Sequence, residues 1–157
     1  VYADYDKTKQ TVLSLKSYID AQPKSIQLCH IDAVPDNFLF VTGKDGSEEI
    51  KLTDWEYAGM QDPHLDVAMF IIYAMYDRDS AEKLIDLYFS DGCDKATRLK
   101  IYCYIAVSGL VWSNWCEFKR HCGVEFGAYA QRQYDYAREY TKIFFKEYRE
   151  AFGRDYV

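Results

Sequence analysis

The stretch LCHIDAVPDNFLF, residues 28–40, sets His30, Asp32, Asp36 and Asn37 between two apolar runs, with Pro35 in the middle. A solvent-facing turn needs some polarity, but this order also fits a reaction. A carboxylate such as Asp32 is suited to orient an attacking hydroxyl and take its proton. A neutral amide oxygen such as that of Asn37, five residues on, is a ligand for a hard cation. A tight loop between two short strands presents both side chains to one side. A further carboxylate, Asp54 in LTDWEYAG, follows at the end of the next strand-like segment. Phosphoryl transfer needs this oxygen set, with one group for the attacking hydroxyl and two for magnesium.

The elements that must hold these residues follow from apolar spacing. Val12, Leu15, Tyr18 and Ile19 predict a helix over residues 4–22 that stops before Pro23. Residues 25–29 and 37–42 read as strands, GKDGSEE as a turn, and 49–53 alternates to complete a hairpin. Residues 64–76 are apolar nearly all round, which predicts a central helix. A helix over 79–89 has Ser80 as its expected N-cap and Gly92 beyond its end. Long helices over 95–120 and 127–152 follow, separated by Gly123. The expected class is α+β, mainly α: one helix, a small hairpin, then four helices, in a single domain over residues 1–157.

Composition narrows the partners. A formal charge of −6 argues against a nucleic-acid surface and mildly favours a cationic small molecule. The five cysteines are odd in number and scattered, with no Cys-x-x-Cys pair, so reduced thiols in a cytoplasmic protein are expected. His121 and Cys122 have no further ligands at a sensible spacing for a metal and read as surface residues at a helix end. The longest apolar run, Val67 to Tyr76, is too short to span a bilayer, so no membrane insertion is expected.

The spacing His30, Asp32, Asn37 is H-x-D-x-x-x-x-N, that of the kinase catalytic loop, and Asp54 stands where the DFG aspartate would. CHIDAVPDNFLF followed by LTDWEYAGMQDPHLDVA resembles the choline/ethanolamine kinase and aminoglycoside phosphotransferase superfamily, LicA-type bacterial choline kinases above all. The D-W-E-Y-A segment with D-P-x-x-D after it is the specific part. The resemblance implies a kinase-like C-terminal lobe, whose hairpin carries the catalytic loop beside a helical bundle. It implies ATP as co-substrate and Mg2+, with Asp32 as catalytic base and His30 as a scaffold residue of the catalytic loop. Asn37 and Asp54 would be the magnesium ligands, and Glu56 would support the metal site or the substrate's hydroxyl end. Asp66 would hydrogen-bond the loop and hold its shape. A kinase of this superfamily also has an N-terminal lobe with a phosphate-covering loop and a strand lysine. No Gly-x-Gly-x-x-Gly occurs here, and the chain opens VYADYDKTKQ, without Met. The expectation is the C-terminal lobe of a longer polypeptide, weak or inactive alone.

Trp112 and Trp115 lie three apart and share a helical face. Such a pair fits core packing, and equally an aromatic cage for quaternary ammonium, which has no hydrogen bond to donate. Choline kinases are similar, with W-x-x-W lining the choline pocket. Tyr73 and Tyr76 are expected further walls, with Tyr129 and Tyr136 on the last helix as additional candidates. Eukaryotic relatives carry a Glu in the stretch that here reads YAMY, and the nearest acids are Asp77 and Asp79. The expected acceptor is choline, giving phosphocholine. Ethanolamine or an aminoglycoside is the rival acceptor, and a non-catalytic amine-binding helical domain is the rival class.

Overall fold

A computed structural model describes residues 2–156. In chain order the elements are α1 (Tyr5–Ser14), α2 (Lys16–Ala21), β1 (Gln27–Cys29), a 3₁₀ turn (Pro35–Asn37), β2 (Phe38–Thr42), β3 (Glu48–Leu52) and β4 (Gly59–Gln61), followed by α3 (His64–Tyr73), α4 (Arg78–Tyr88), α5 (Lys95–His121) and α6 (Ala128–Phe152). The expected class is the one found, mainly helical with small antiparallel sheets.

The boundaries depart from the predicted ones for local reasons. Residues 4–22 form two helices, because the N–H of fully buried Leu15 bonds Val12 O, one residue short of the α-helical partner. Helix α3 ends at Tyr73, not at 76. Met75 turns left-handed (φ 51°), and the N–H groups of Met75 and Tyr76 return to Ile72 O and Ile71 O. That closure usually uses glycine, so the apolar run gave no stop signal. Ser80 is not the cap of α4. Asp77 is, accepting the Ser80 N–H at 2.9 Å, and Asp94 caps α5 in the same way through Thr97.

The strands form two separate pairs. β2 and β3 make the predicted hairpin, with Phe38 opposite Leu52 and Thr42 opposite Glu48. β1 pairs with the unpredicted β4, Leu28 opposite Met60. Three residues carry too little pattern to announce a strand, and β4 exists because β1 offers an edge.

The core lies among α3, α5 and α6, where Ile71, Ile72, Leu99, Tyr102, Ile105, Tyr136, Tyr140 and Phe144 are buried together. Two contacts seat the strand region on it. The Phe38 ring meets Phe70 of α3 edge-on at 5.5 Å. Buried Lys100 of α5 donates to Asp62 at 2.7 Å and to Pro23 O at 2.8 Å, and Tyr104 adds a bond to the same carboxylate. Burial pushes the Asp62 carboxyl up, but Lys100, the His64 N–H and Tyr104 together outweigh it and hold the group below its usual range. The junction of β4 with α3 is thus fixed to α5. No helix among the described residues is long and apolar enough to cross a membrane.

Helices α5 and α6 approach each other closely at Gly109. A Cβ there would lie 2.7 Å from Gln133 O and 3.1 Å from Ala137 N, both backbone atoms of α6. Gly109→Ala is therefore expected to lower stability by about 2 kcal/mol, read as a fall in the urea midpoint. A midpoint equal to the wild type's would show that this crossing has slack.

Candidate active site

The loop between β1 and the 3₁₀ turn is held from beneath by α3. The Asp66 carboxylate, in the first turn of that helix, accepts the His30 N–H at 2.9 Å and the Ile31 N–H at 2.8 Å, one on each oxygen. Ile31 lies in the left-handed region (φ 68°), which is strained for a β-branched residue and persists only where neighbours fix it. The two bonds to Asp66 do so, and Asp32 follows directly.

His30 turns inward. Its ring is 3% exposed, Nε2–H donates to Thr53 O at 2.7 Å, and the ring meets Trp55 edge-on at 4.8 Å. It joins the loop to the end of β3 and is not among the residues lining the cleft beside Asp32.

Asn37 closes the loop from the other side. Pro35 starts the 3₁₀ turn, and Asn37 Nδ2 donates to Asp32 O at 2.9 Å. The hairpin register sets Asn37 beside Thr53, whose N–H bonds Asn37 O at 3.0 Å. With Nδ2 used, Oδ1 is the side-chain atom left to accept or ligate. Asp54 comes next in the chain, exposed and left-handed (φ 62°). Among the described residues no three His, Cys, Asp or Glu side chains form a metal-binding group.

A cleft of about 730 Å³ opens beside the loop. Asp32, Asp36 and Glu56 form one part of its lining, with Val34 and Pro35. Tyr57, Tyr73, Trp112, Trp115, Phe126 and Tyr129 form the rest. The Trp112 and Trp115 rings are 17° from parallel with centroids 6.1 Å apart. Tyr73 meets Trp112 edge-on at 5.5 Å, and Phe126 lies 5.2 Å from Trp115. Burial first, and then the Asp32 carboxylate, hold the Tyr73 hydroxyl well above the usual tyrosine range. Tyr129 is raised by burial foremost.

Of the residues read from the sequence, Asp32, Glu56, Tyr73, Trp112, Trp115 and Tyr129 therefore share one cleft. His30, Asn37, Asp54, Tyr76, Tyr136 and Asp77 are not among its lining residues. The left-handed turn at Met75 carries Tyr76 away, so its ring packs on Phe70 and lines a separate hollow with Ser80 and Lys83. Tyr136 is fully buried under the Arg132 guanidinium, its hydroxyl bonded to Tyr76 O. The Asp77 carboxylate is occupied in capping α4. Tyr57 and Phe126 went unread: one lies inside the D-W-E-Y-A segment, the other between Gly123 and Gly127 in the α5–α6 connection. An aromatic residue in a glycine-flanked connection is the signal that marked Phe126.

The profile of the choline/ethanolamine kinase family matches residues 2–91. Protein LicA of Haemophilus influenzae is 30% identical over 121 residues, covering 69% of this chain and 41% of that protein. The crystal structure of choline kinase LicA from Streptococcus pneumoniae superposes with a TM-score of 0.70 at 28% identity, over 90% of this chain and 49% of the other. A structure of LicA in complex with AMP matches with a TM-score of 0.71 at 28% identity, over 91% and 48%. The chain thus spans about half the length of the relatives it matches. With the family profile covering more than half of its residues, the chain belongs to the choline/ethanolamine kinase family.

Proposed function

We propose that the protein takes part in phosphoryl transfer from ATP to the hydroxyl of choline, giving phosphocholine. The observation that carries this reading is the composition of one cleft, which joins the Asp32 carboxylate to an aromatic wall. Quaternary ammonium is attracted to the faces of Trp and Tyr and has no N–H to satisfy, so it suits the wall around Trp112 and Trp115. The alcohol end then lies toward Asp32, which orients it and accepts its proton as the bond to phosphorus forms.

Two oxygen ligands fit a magnesium ion, which commonly takes one or two protein groups and completes its shell with water and phosphates. Asn37 Oδ1 and the Asp54 carboxylate are the ligands proposed here; the Thr53 N–H bonds Asn37 O, and Asp54 follows Thr53 in the chain. Bound there, magnesium supplies neutralisation of charge on the phosphates. Glu56 sits on the same cleft and is proposed to support the hydroxyl end. The AMP complex of the related LicA supports a nucleotide as the donor.

We also propose that this chain is the C-terminal lobe of that kinase. No glycine-rich phosphate cover is present in its sequence, and turnover by these residues alone is expected to be weak. Robust ATP-dependent phosphorylation of choline by the 157-residue chain would contradict that division of labour.

Tryptophan fluorescence tests the acceptor. Choline is expected to give saturable quenching and ethanolamine a much weaker response, with choline affinity falling about tenfold or more in Trp112→Ala. Equal responses to the two amines, or choline binding untouched in Trp112→Ala, would contradict the cage.

A further inference from the structure

Tyr73, the last residue of α3, carries a hydroxyl that is sealed from solvent and makes no hydrogen bond of standard geometry among the described residues, although the Asp32 carboxylate is near enough to act on it. Leaving a buried hydroxyl unpaired costs about 1–3 kcal/mol. Most of the other buried tyrosines avoid this. Tyr18, Tyr102, Tyr104, Tyr134 and Tyr136 each bond a carbonyl or carboxylate. Tyr140 is the other buried tyrosine hydroxyl without a partner, but it lies in the core between Tyr102 and Tyr136. Tyr73 differs because it lines the cleft together with Asp32 and Trp112.

Its place in that cleft suggests what is to satisfy it. One edge of the ring meets Trp112 of the aromatic wall, and the Asp32 carboxylate is the charged group that bears on the hydroxyl. Both burial and that carboxylate disfavour the phenolate, so the hydroxyl stays protonated and available as a donor. An alcohol oxygen beside both groups has matching polarity: its lone pair accepts from Tyr73 while its own O–H donates to Asp32. An alkyl group in the same position satisfies neither.

Resting on the acceptor reading above, we propose that the Tyr73 hydroxyl is a specificity-determining donor, which receives the alcohol oxygen of a quaternary ammonium alcohol and turns its O–H toward Asp32. The aromatic wall then recognises the cation, and Tyr73 recognises that the cation bears a hydroxyl.

Calorimetric titration with choline and with propyltrimethylammonium, where a methyl group replaces the hydroxyl, separates the two functions. The wild-type protein is expected to bind choline about five- to tenfold more tightly, the worth of a buried hydrogen bond. Tyr73→Phe is expected to reduce that preference about threefold or more, leaving the share of the bond to Asp32, while keeping its affinity for propyltrimethylammonium within about twofold. Equal affinities in the wild type overturn the role of Tyr73 and leave the cage standing. A Tyr73→Phe variant that keeps the preference, or loses both ligands alike, also overturns it. If the wild type binds neither cation, the acceptor reading itself fails and this inference falls with it.

Discussion

One carboxylate, Asp66, accepts two consecutive backbone N–H groups from the loop before Asp32, and the geometry of the site depends on that pair of bonds. Bonds to an ionised acceptor are stronger than neutral ones, and a negative charge in the first turn of a helix is also favoured by the helix dipole. The same charge therefore stabilises α3 and grips the loop. Without it, Ile31 would have little reason to stay in a left-handed conformation that a branched side chain resists. The direction in which Asp32 leaves the loop follows from that conformation.

Helix α3 acts as a ruler between the two halves of the cleft. Asp66 and Tyr73 are seven residues apart, two turns on one face, which is about 10 Å along the axis. One end fixes the loop and the other supplies a wall beside Trp112. The helix itself is fastened by its apolar side to α5 and by the Lys100–Asp62 pair at its start. His30 and Asn37 extend this order to the end of β3, each through a bond with Thr53. Tyr73, Trp112, Trp115 and Tyr129 are thus mounted on packed helices, while Asp54 and Glu56 stand on an exposed turn.

How much of this was legible depended on whether a residue's role is local. The loop was readable because its residues sit within eight positions and their spacing is set by one turn: His30, Asp32, Pro35 and Asn37. Asp66 was reachable only through family resemblance, since its partners lie 35 and 36 residues away. Trp112 and Trp115 share a face by helical period alone. Tyr76 was misplaced because a left-handed Met75 ends the helix without glycine, and Tyr136 because helical period does not say which of two apolar faces meets the core. β4 had no signal of its own, being defined by the strand it pairs with.

The central claim is that one cleft holds a cation at its aromatic wall and an alcohol at Asp32. A crystal structure of the choline complex tests it most directly. The account predicts the trimethylammonium group against Trp112 and Trp115, with the hydroxyl oxygen within hydrogen-bonding distance of Asp32. Choline bound in the opposite orientation, or outside this cleft, would contradict it.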